Sequence, residues 1–482
     1  MAIDIRKMGV LSGCALPVLL GVPLAGRDVK NRPAQEKKNV LFLMVDDLRD
    51  ELNCYGASYM KTPNIDALAR EGVMFRNSYC NVPVSGASRA SLLTGIRPGN
   101  TRFWDVTAEV DREAPGAITL PQYFREHGYY TISNSKIFHN GKDTAERSWD
   151  EIWKPALKSS TWRDYLGEEN LSVENDRGGP APYESLDVPD NAYADGKAAD
   201  KTIADLRRLK ALGKPFFLAM GILKPHLPFN APKKYWDMYD PSGISVPETF
   251  VFDRTGFPSQ AFHSYGEIRY YRGVPQTGDI SEEEALRLIR GYRACVSYAD
   301  AQVGRILDEL KRLHLDKNTI VVLLGDHGWS LGDHNQWCKH SNFNIVTRAP
   351  LIIRIPGNKK KGVEEKVVEF VDIFPTLCEA VSLEIPDQIQ GSSLYSLLCG
   401  EDEDWKDCAI VKWHSGQSFF NRDFGYTWWS DKQGKFQAEM LFDYSRDRLE
   451  VTNVVAKPEY SGRADILRQE ILDRRGEDFM NH

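Results

Sequence analysis

Residues 39–45, Asn39-Val40-Leu41-Phe42-Leu43-Met44-Val45, carry no charge and end at once in Asp46-Asp47. A strand with one solvated face alternates apolar and polar residues. This run does not alternate, so it reads as a strand buried on both faces with a carboxylate pair at its carboxyl end. Similar runs recur along the chain at 215–221 and 319–324, each after a long helical stretch, about 191–212 and 281–313. Thr62-Pro63 opens a helix through about Arg70, because Thr suits the N-cap and Pro the first turn. Residues 119–127 repeat that opening and Gly128 closes it, ahead of a strand at 129–133. A strand at 351–355 and a helix at 372–381 follow. Strands alternating with helices predict an α/β domain on a large, mostly parallel sheet. Beyond about Gly391 the pattern changes to aromatics, charges and short strand-like runs such as 409–413. This stretch reads as a smaller C-terminal α+β subdomain. The expected boundaries are 1–26, 27–395 and 396–482. The stretches 155–190 and 240–280 read as long surface excursions, a type of loop that often carries function. There is no internal repeat.

With 482 residues, the chain has room for one large and one smaller domain. Hydrophobic residues at 42% and charged residues at 27% exclude a disordered chain, a collagen-like repeat and a coiled coil. A net charge of −7 makes sequence-independent nucleic-acid binding a poor fit. An anion site needs only local positive charge. Arg6 and Lys7, an apolar stretch from Gly9 to Leu24, then Ala25 and Gly26 read as a secretory signal. Pro17 and Pro23 break the stretch, which is too short for a transmembrane helix. Cleavage near Ala25 or Gly26 gives an exported, periplasmic protein. A lipid anchor on Cys14, within Leu11-Ser12-Gly13-Cys14, is the alternative. The eight cysteines show no CxxC pair, and without Cys14 an odd number remains, so no disulfide framework is expected.

Open α/β sheets bind ligands at the carboxyl ends of their strands. Two acid-rich clusters stand there: Asp46-Asp47 after the first strand, and Asp326-His327 after 319–324. Three carboxylates and an imidazole suit a hard divalent cation. A separate stretch, Val84-Ser85-Gly86-Ala87-Ser88-Arg89-Ala90-Ser91-Leu92-Leu93-Thr94-Gly95, sets a hydroxyl before a helix with an Arg four residues on. One helical turn brings that Arg back toward the hydroxyl, and the helix N-terminus favours an anion.

This stretch resembles the signature of the type I sulfatases: Cys or Ser, any residue, Pro or Ala, any residue, Arg, then Leu-Thr-Gly. Asp46-Asp47, Thr62-Pro63-Asn64, Ser135-Lys136-Ile137-Phe138-His139, Lys224-Pro225-His226 and Gly325-Asp326-His327-Gly328 follow in family order. Leu331-Gly332-Asp333-His334 and the stretch from Trp337 to Phe343 resemble the iduronate-2-sulfatase branch. The likeness spans about 38–395 well and the rest loosely. Ser85 stands where most members have Cys, and Ala87 where most have Pro. Cys80 cannot substitute for Ser85, since no Arg stands four residues after it.

The resemblance implies an alkaline-phosphatase-like α/β fold, one calcium ion on Asp46, Asp47, Asp326 and His327, and Ser85 oxidised to formylglycine. A Ser-type signature implies a transient partner, an anaerobic radical-type maturating enzyme. By the same likeness Arg89 steadies the formylglycine hydrate, and Lys136 and Lys339 face the sulfate oxygens. His139 acts on the second hydroxyl and His226 on the leaving oxygen. Lys224, His340, Arg102 and Trp104 are candidate substrate contacts. The implied reaction is hydrolysis of the 2-O-sulfate of a terminal uronic acid, saturated or 4,5-unsaturated, in a heparan, heparin, chondroitin or dermatan sulfate oligosaccharide. Two other readings stay open: a phosphomonoesterase or phosphodiesterase using Ser85 directly, and an inactive protein that only binds sulfated glycans. A monomer is expected.

Overall fold

The computed structural model describes residues 37–474 except 265 and 402–404. The signal segment, Cys14 and most of the expected linker lie outside the described residues. The principal strands are β1 (Asn39–Val45), β2 (Val73–Tyr79), β3 (Tyr130–Asn134), β4 (Glu151–Trp153), β5 (Phe216–Ile222), β6 (Thr319–Gly325), β7 (Leu351–Arg354) and β8 (Gly362–Glu369). They form one eight-stranded sheet in the order β8-β2-β7-β6-β1-β5-β3-β4. β1 lies between β5 and β6, parallel to both. β7 runs antiparallel to both of its neighbours. The apolar pattern of 351–354 carries no sign of direction, and neither β2 nor β8 stood out in the sequence.

The continuous apolar runs have a direct cause. Leu41, Leu43 and Val45 point into one hydrophobic core, and Val40, Phe42 and Met44 into another on the opposite face. Phe216, Leu218 and Met220 of β5 join the first core, while Phe217 and Ala219 join the second. Each such side chain contributes roughly 1.5–3 kcal/mol on full burial. That supplies the stability to hold charged groups dry at the strand ends.

Helices cover both faces. The main ones are α1 (Pro63–Glu71), α2 (Ser85–Thr94), α3 (Leu120–Glu126), α4 (Ala194–Leu212), α5 (Glu282–Arg312), α6 (Ile373–Ala380) and α7 (Arg463–Arg474). α1, α4 and α5 pack on the first core, and α2, α3 and α6 on the second. Thr119 caps α3 by accepting from the Gln122 N–H at 3.2 Å. Thr62 does not cap α1; its hydroxyl donates to Asp66 instead, at 3.2 Å. A four-stranded antiparallel sheet follows, of β9 (Ala409–Trp413), β10 (Gly416–Phe420), β11 (Phe424–Ser430) and β12 (Phe436–Asp443), with α7 packed on it. The seven described cysteines are free. Among the described residues no helix is long and apolar enough to cross a membrane.

Candidate active site

The carboxyl ends of the adjacent strands β1 and β6 deliver Asp46, Asp47, Asp326 and His327 side by side, all at most 1% exposed. The backbone N–H of Asp47 donates to Asp326 Oδ1 at 3.0 Å. His327 Nε2 lies 3.4 Å from Asp47 Oδ1 and 3.7 Å from Asp326 Oδ1, while its Nδ1 is 2.9 Å from the Gly328 carbonyl. The Nδ1 contact turns Nε2 toward the carboxylates.

Ser85 opens α2 and is buried against this cluster. Its Oγ is 3.1 Å from Asp46 Oδ1 and 3.0 Å from His327 Nε2. Gly86 permits the approach of the facing loop: a Cβ there would stand 2.2 Å from the Val106 carbonyl oxygen. One turn on, Arg89 is 1% exposed and ties the two strand ends together. It donates to Asp46 Oδ1 and Asp326 Oδ2, each at 2.9 Å, and to the carbonyls of Lys136 and Ile137 at 2.6 and 3.0 Å. Those carbonyls belong to the loop after β3. Gly221 on β5 makes room for that loop, since a Cβ there would lie 1.9 Å from the Lys136 oxygen.

Lys136 Nζ donates to Asp46 Oδ2 at 2.5 Å. Lys339 Nζ lies 3.0 Å from Asp47 Oδ1 and 3.2 Å from Glu267 Oε2, over the face of Trp329. His226 places Nε2 at 3.1 Å from Glu267 Oε1 and Nδ1 at 2.7 Å from the Leu227 carbonyl. Both ring nitrogens thus face acceptor oxygens, and a proton carried on Nε2 would point into the cavity. Trp162 meets that ring edge-on at 4.9 Å.

These charges shape one another. Burial works against ionising Asp46, but Lys136 and Arg89 outweigh it and hold its pKa well below the usual range. Burial raises Asp47, and the charge on Asp46 adds to the rise. Burial opposes ionisation of Glu267 too, yet Lys339 and His226 keep it well below its usual value. Burial and the Lys136 ammonium lower His139 to about 3, and burial lowers His340 to about 3. Both imidazoles are therefore neutral near pH 7.

A cavity of about 450 Å³ opens over the cluster, walled among others by Ser85, Lys136, His139, His226, Lys339 and His340. Lys224 also lines it, but its ammonium is engaged by the carbonyls of His226 and Pro228 at 3.0 and 2.5 Å. Arg102 and Trp104 stand outside this cavity. Arg102 Nε donates to the Arg97 carbonyl at 3.3 Å. Trp104 donates to the Asn100 carbonyl at 2.5 Å and packs edge-on against His414.

Sequence profiles agree with this geometry. The sulfatase family matches residues 38–383, and the domain described as N-sulphoglucosamine sulphohydrolase, C-terminal, matches 332–477. The chain belongs to the sulfatase family. This sulfatase is 34% identical to human iduronate 2-sulfatase over 418 residues, covering 78% of this chain and 74% of that protein. Among solved structures it is similar to a protein described as a 2-O GAG sulfatase, with a TM-score of 0.71, 23% identity and coverage of 93% and 94%. It is also similar to the phosphonate monoester hydrolase of Agrobacterium radiobacter, with a TM-score of 0.73, 23% identity and coverage of 92% and 96%. Both likenesses show the alkaline-phosphatase-like fold. Family membership makes the sulfatase a sulfuric ester hydrolase.

Two residues of the sulfatase's site escaped the sequence reading. Glu267 lies in the excursion at 240–280 and Trp162 in that at 155–190; neither stands in a motif or at a strand end. Their only sequence signal was that long loops tend to reach functional sites.

Proposed function

We propose that this sulfatase removes the 2-O-sulfate from a terminal uronic acid of a glycosaminoglycan oligosaccharide, saturated or 4,5-unsaturated, with Ser85 acting as formylglycine. The observation that carries the reading is Ser85 itself. It stands at a helix N-terminus, within 3.1 Å of Asp46 and 3.0 Å of His327, in a cavity that also holds Lys136 and Lys339. The 2-O position is supported by the identity with iduronate 2-sulfatase and by the stretch 331–343. We also read the protein as exported, matured by a radical-type enzyme and monomeric.

The donor set fits calcium. Asp47, Asp326 and His327 offer atoms that can converge on one ion, and Asp46 adjoins them. When bound, calcium supplies Lewis-acid charge for the sulfate oxygens and the hydrate. A second divalent site among Asp47, His226 and Glu267 is the weaker reading, because the Lys339 ammonium already lies against both carboxylates. That favours a sulfatase over a two-metal phosphatase.

The proposed cycle balances as follows. One hydroxyl of the Ser85 hydrate passes its proton to Asp46, to which the Ser85 oxygen already donates at 3.1 Å, its oxygen attacks sulfur, and the bond from sulfur to the sugar oxygen breaks. His226 gives its proton to the departing alcohol, while Lys136 and Lys339 face the growing charge on the sulfonyl oxygens. Neutral His139 then takes the proton of the second hydroxyl. The carbon–oxygen bond to sulfate breaks, sulfate leaves, and the aldehyde returns to be rehydrated by water; of the protons left on Asp46 and His139, one recharges His226 through water and the other is released to solvent. Arg89 keeps the hydrate, Asp46 and Asp326 in one arrangement.

The test is the mass of the tryptic peptide 77–89 from active protein, paired with an assay on 2-O- and 6-O-sulfated disaccharides. A peptide two hydrogens lighter than the serine form, trapped by a carbonyl reagent, and sulfate release from the 2-O substrate are expected. An unmodified peptide in an active preparation refutes the formylglycine mechanism. Release only from the 6-O substrate refutes the regiochemistry.

A further inference from the structure

His226 sits in a turn that has little of its own to hold it. Residues 223–228, Leu223-Lys224-Pro225-His226-Leu227-Pro228, follow the carboxyl end of β5. Pro225 and Pro228 lack an N–H, so four backbone donors remain in six residues. That of His226 closes the turn by donating to the Leu223 carbonyl at 2.9 Å. Those of Leu223 and Lys224 donate out of it, to Asp195 Oδ1 at 2.7 Å and Asp195 Oδ2 at 2.9 Å. One carboxylate therefore grips two consecutive peptides just ahead of His226. From inside the turn, the Lys224 ammonium donates to the carbonyls of His226 and Pro228 at 3.0 and 2.5 Å. Asp195 clasps the turn at its start and Lys224 across its end.

Asp195 is itself firmly held. It is the second residue of α4, where negative charge is favoured in the first helical turn. Both of its oxygens nevertheless bond the 223–224 peptides rather than cap their own helix. The helix start is anchored by Tyr298 of α5, whose hydroxyl accepts from the Gly196 N–H and donates to the Asp190 carbonyl, each at 2.8 Å. Gly196 allows that packing, since a Cβ there would stand 2.1 Å from the Asp190 carbonyl oxygen. The Ala194 N–H donates to Asp164 Oδ2 at 2.7 Å, two residues from Trp162, so the same helix end also holds the loop whose ring meets His226. Asp195 is 1% exposed, lies outside the cavity lining and forms no salt bridge among the described residues. A buried carboxylate without an ion partner is destabilising. Its bonds to the turn are the only ones its side chain makes among the described residues.

A group that hands a proton to a departing oxygen must lie within hydrogen-bond reach of it, and a displacement of about 1 Å can slow the step roughly 100-fold. We infer, resting on the acid role of His226 proposed above, that Asp195 is a positioning residue: through the N–H groups of Leu223 and Lys224 it sets the place of the His226 ring without touching substrate.

The experiment is a double-mutant cycle on the matured full chain, with Asp195→Asn, His226→Ala and the two together, read as kcat and KM on a 2-O-sulfated disaccharide. Asparagine keeps the shape but offers one acceptor where two donors point. Asp195→Asn should lower kcat about tenfold or more and change KM about threefold or less. In the His226→Ala background it should lower kcat about twofold or less, because the ring it places is gone. On 4-nitrophenyl sulfate, whose phenolate leaves without a proton, Asp195→Asn should likewise lower kcat by about threefold or less. Full activity of Asp195→Asn, a loss carried by KM, or equal losses with and without His226 or on the two substrates would overturn the inference. Asp195→Ser is made beside it; failure of both variants to fold by circular dichroism would make Asp195 a residue of stability and overturn the inference as well. Full kcat in His226→Ala alone would instead remove the acid role, and this inference with it.

Discussion

Glu267→Gln separates proton delivery from sulfate binding. Glu267 Oε1 is 3.1 Å from His226 Nε2, and its other oxygen is 3.2 Å from Lys339 Nζ. Glutamine keeps the shape but removes the charge. Lys339 retains Asp47 at 3.0 Å, so its position survives, whereas Asp47 stands 3.7 Å from His226, too far to replace the lost contact. A hydrogen bond to a charged group contributes about 1.5–3 kcal/mol. Loss of that much from a step in which His226 protonates the leaving alcohol slows kcat by roughly 10- to 100-fold. The assay compares a 2-O-sulfated disaccharide, whose alcohol leaves only with a proton, and 4-nitrophenyl sulfate, whose phenolate leaves without one. The large loss is expected on the sugar substrate and a loss of about threefold or less on the aryl sulfate. Equal losses on both would refute the route through leaving-group protonation. Undiminished turnover of both would show the Glu267–His226 contact to be idle.

Other outcomes follow from the same geometry. Arg89→Lys keeps one positive charge but cannot span Asp46, Asp326 and two carbonyls at once. Sulfate release should fall by about 100-fold or more, with circular dichroism unchanged but thermal unfolding lowered, because a buried carboxylate loses its partner. Treatment with a calcium-selective chelator should abolish activity and lower the unfolding temperature, and added calcium should restore both; activity indifferent to chelation would remove the ion from the proposal. Glu450 is buried, with its pKa raised to about 7 by burial. Its folded pKa exceeds the unfolded value, so its contribution is fully present below about pH 4.5 and is lost as pH rises through about 7, at most ~3 kcal/mol. In Glu450→Gln the amide oxygen can still accept from the Asn344 N–H, and the Tyr444 hydroxyl can reverse its role. Denaturant unfolding should show the variant gaining on the native protein between pH 5 and 8, and parallel curves would contradict the assignment.

The parts legible in the sequence were those whose chemistry is local. β1, β5 and β6 announced themselves because burial on both faces removes alternation, and the strand ends then marked Asp46, Asp47, Asp326 and His327. Ser281 capping α5 and Thr119 capping α3 are equally local signals. β2 escaped because Arg76 and Asn77 interrupt its apolar run. They are only partly buried, and their side chains bond to Glu365 of β8. β8 escaped for the matching reason, since it is an edge strand whose charged half, 364–366, holds an exposed Glu365 beside a buried Glu364 paired with Lys360. The direction of β7 depends on which strand it meets, and composition does not record that.

The site divides along the same line. The groups proposed to face the sulfate stand in compact motifs, since sulfur chemistry demands a nucleophile, cations and an acid within a few ångströms. The walls around them come from elsewhere in the chain. Glu267 lies between the helical turns 259–261 and 268–270, far from any strand, while Trp413 and His414 come from a hairpin more than 300 residues after Ser85. No spacing rule connects them, because only folding sets His340 at 5.1 Å from Trp413. What the enzyme does to a sulfate ester is therefore written in short stretches. The surroundings of that ester are set by contacts between stretches, such as the packing of Trp413 on His340, which no local pattern records.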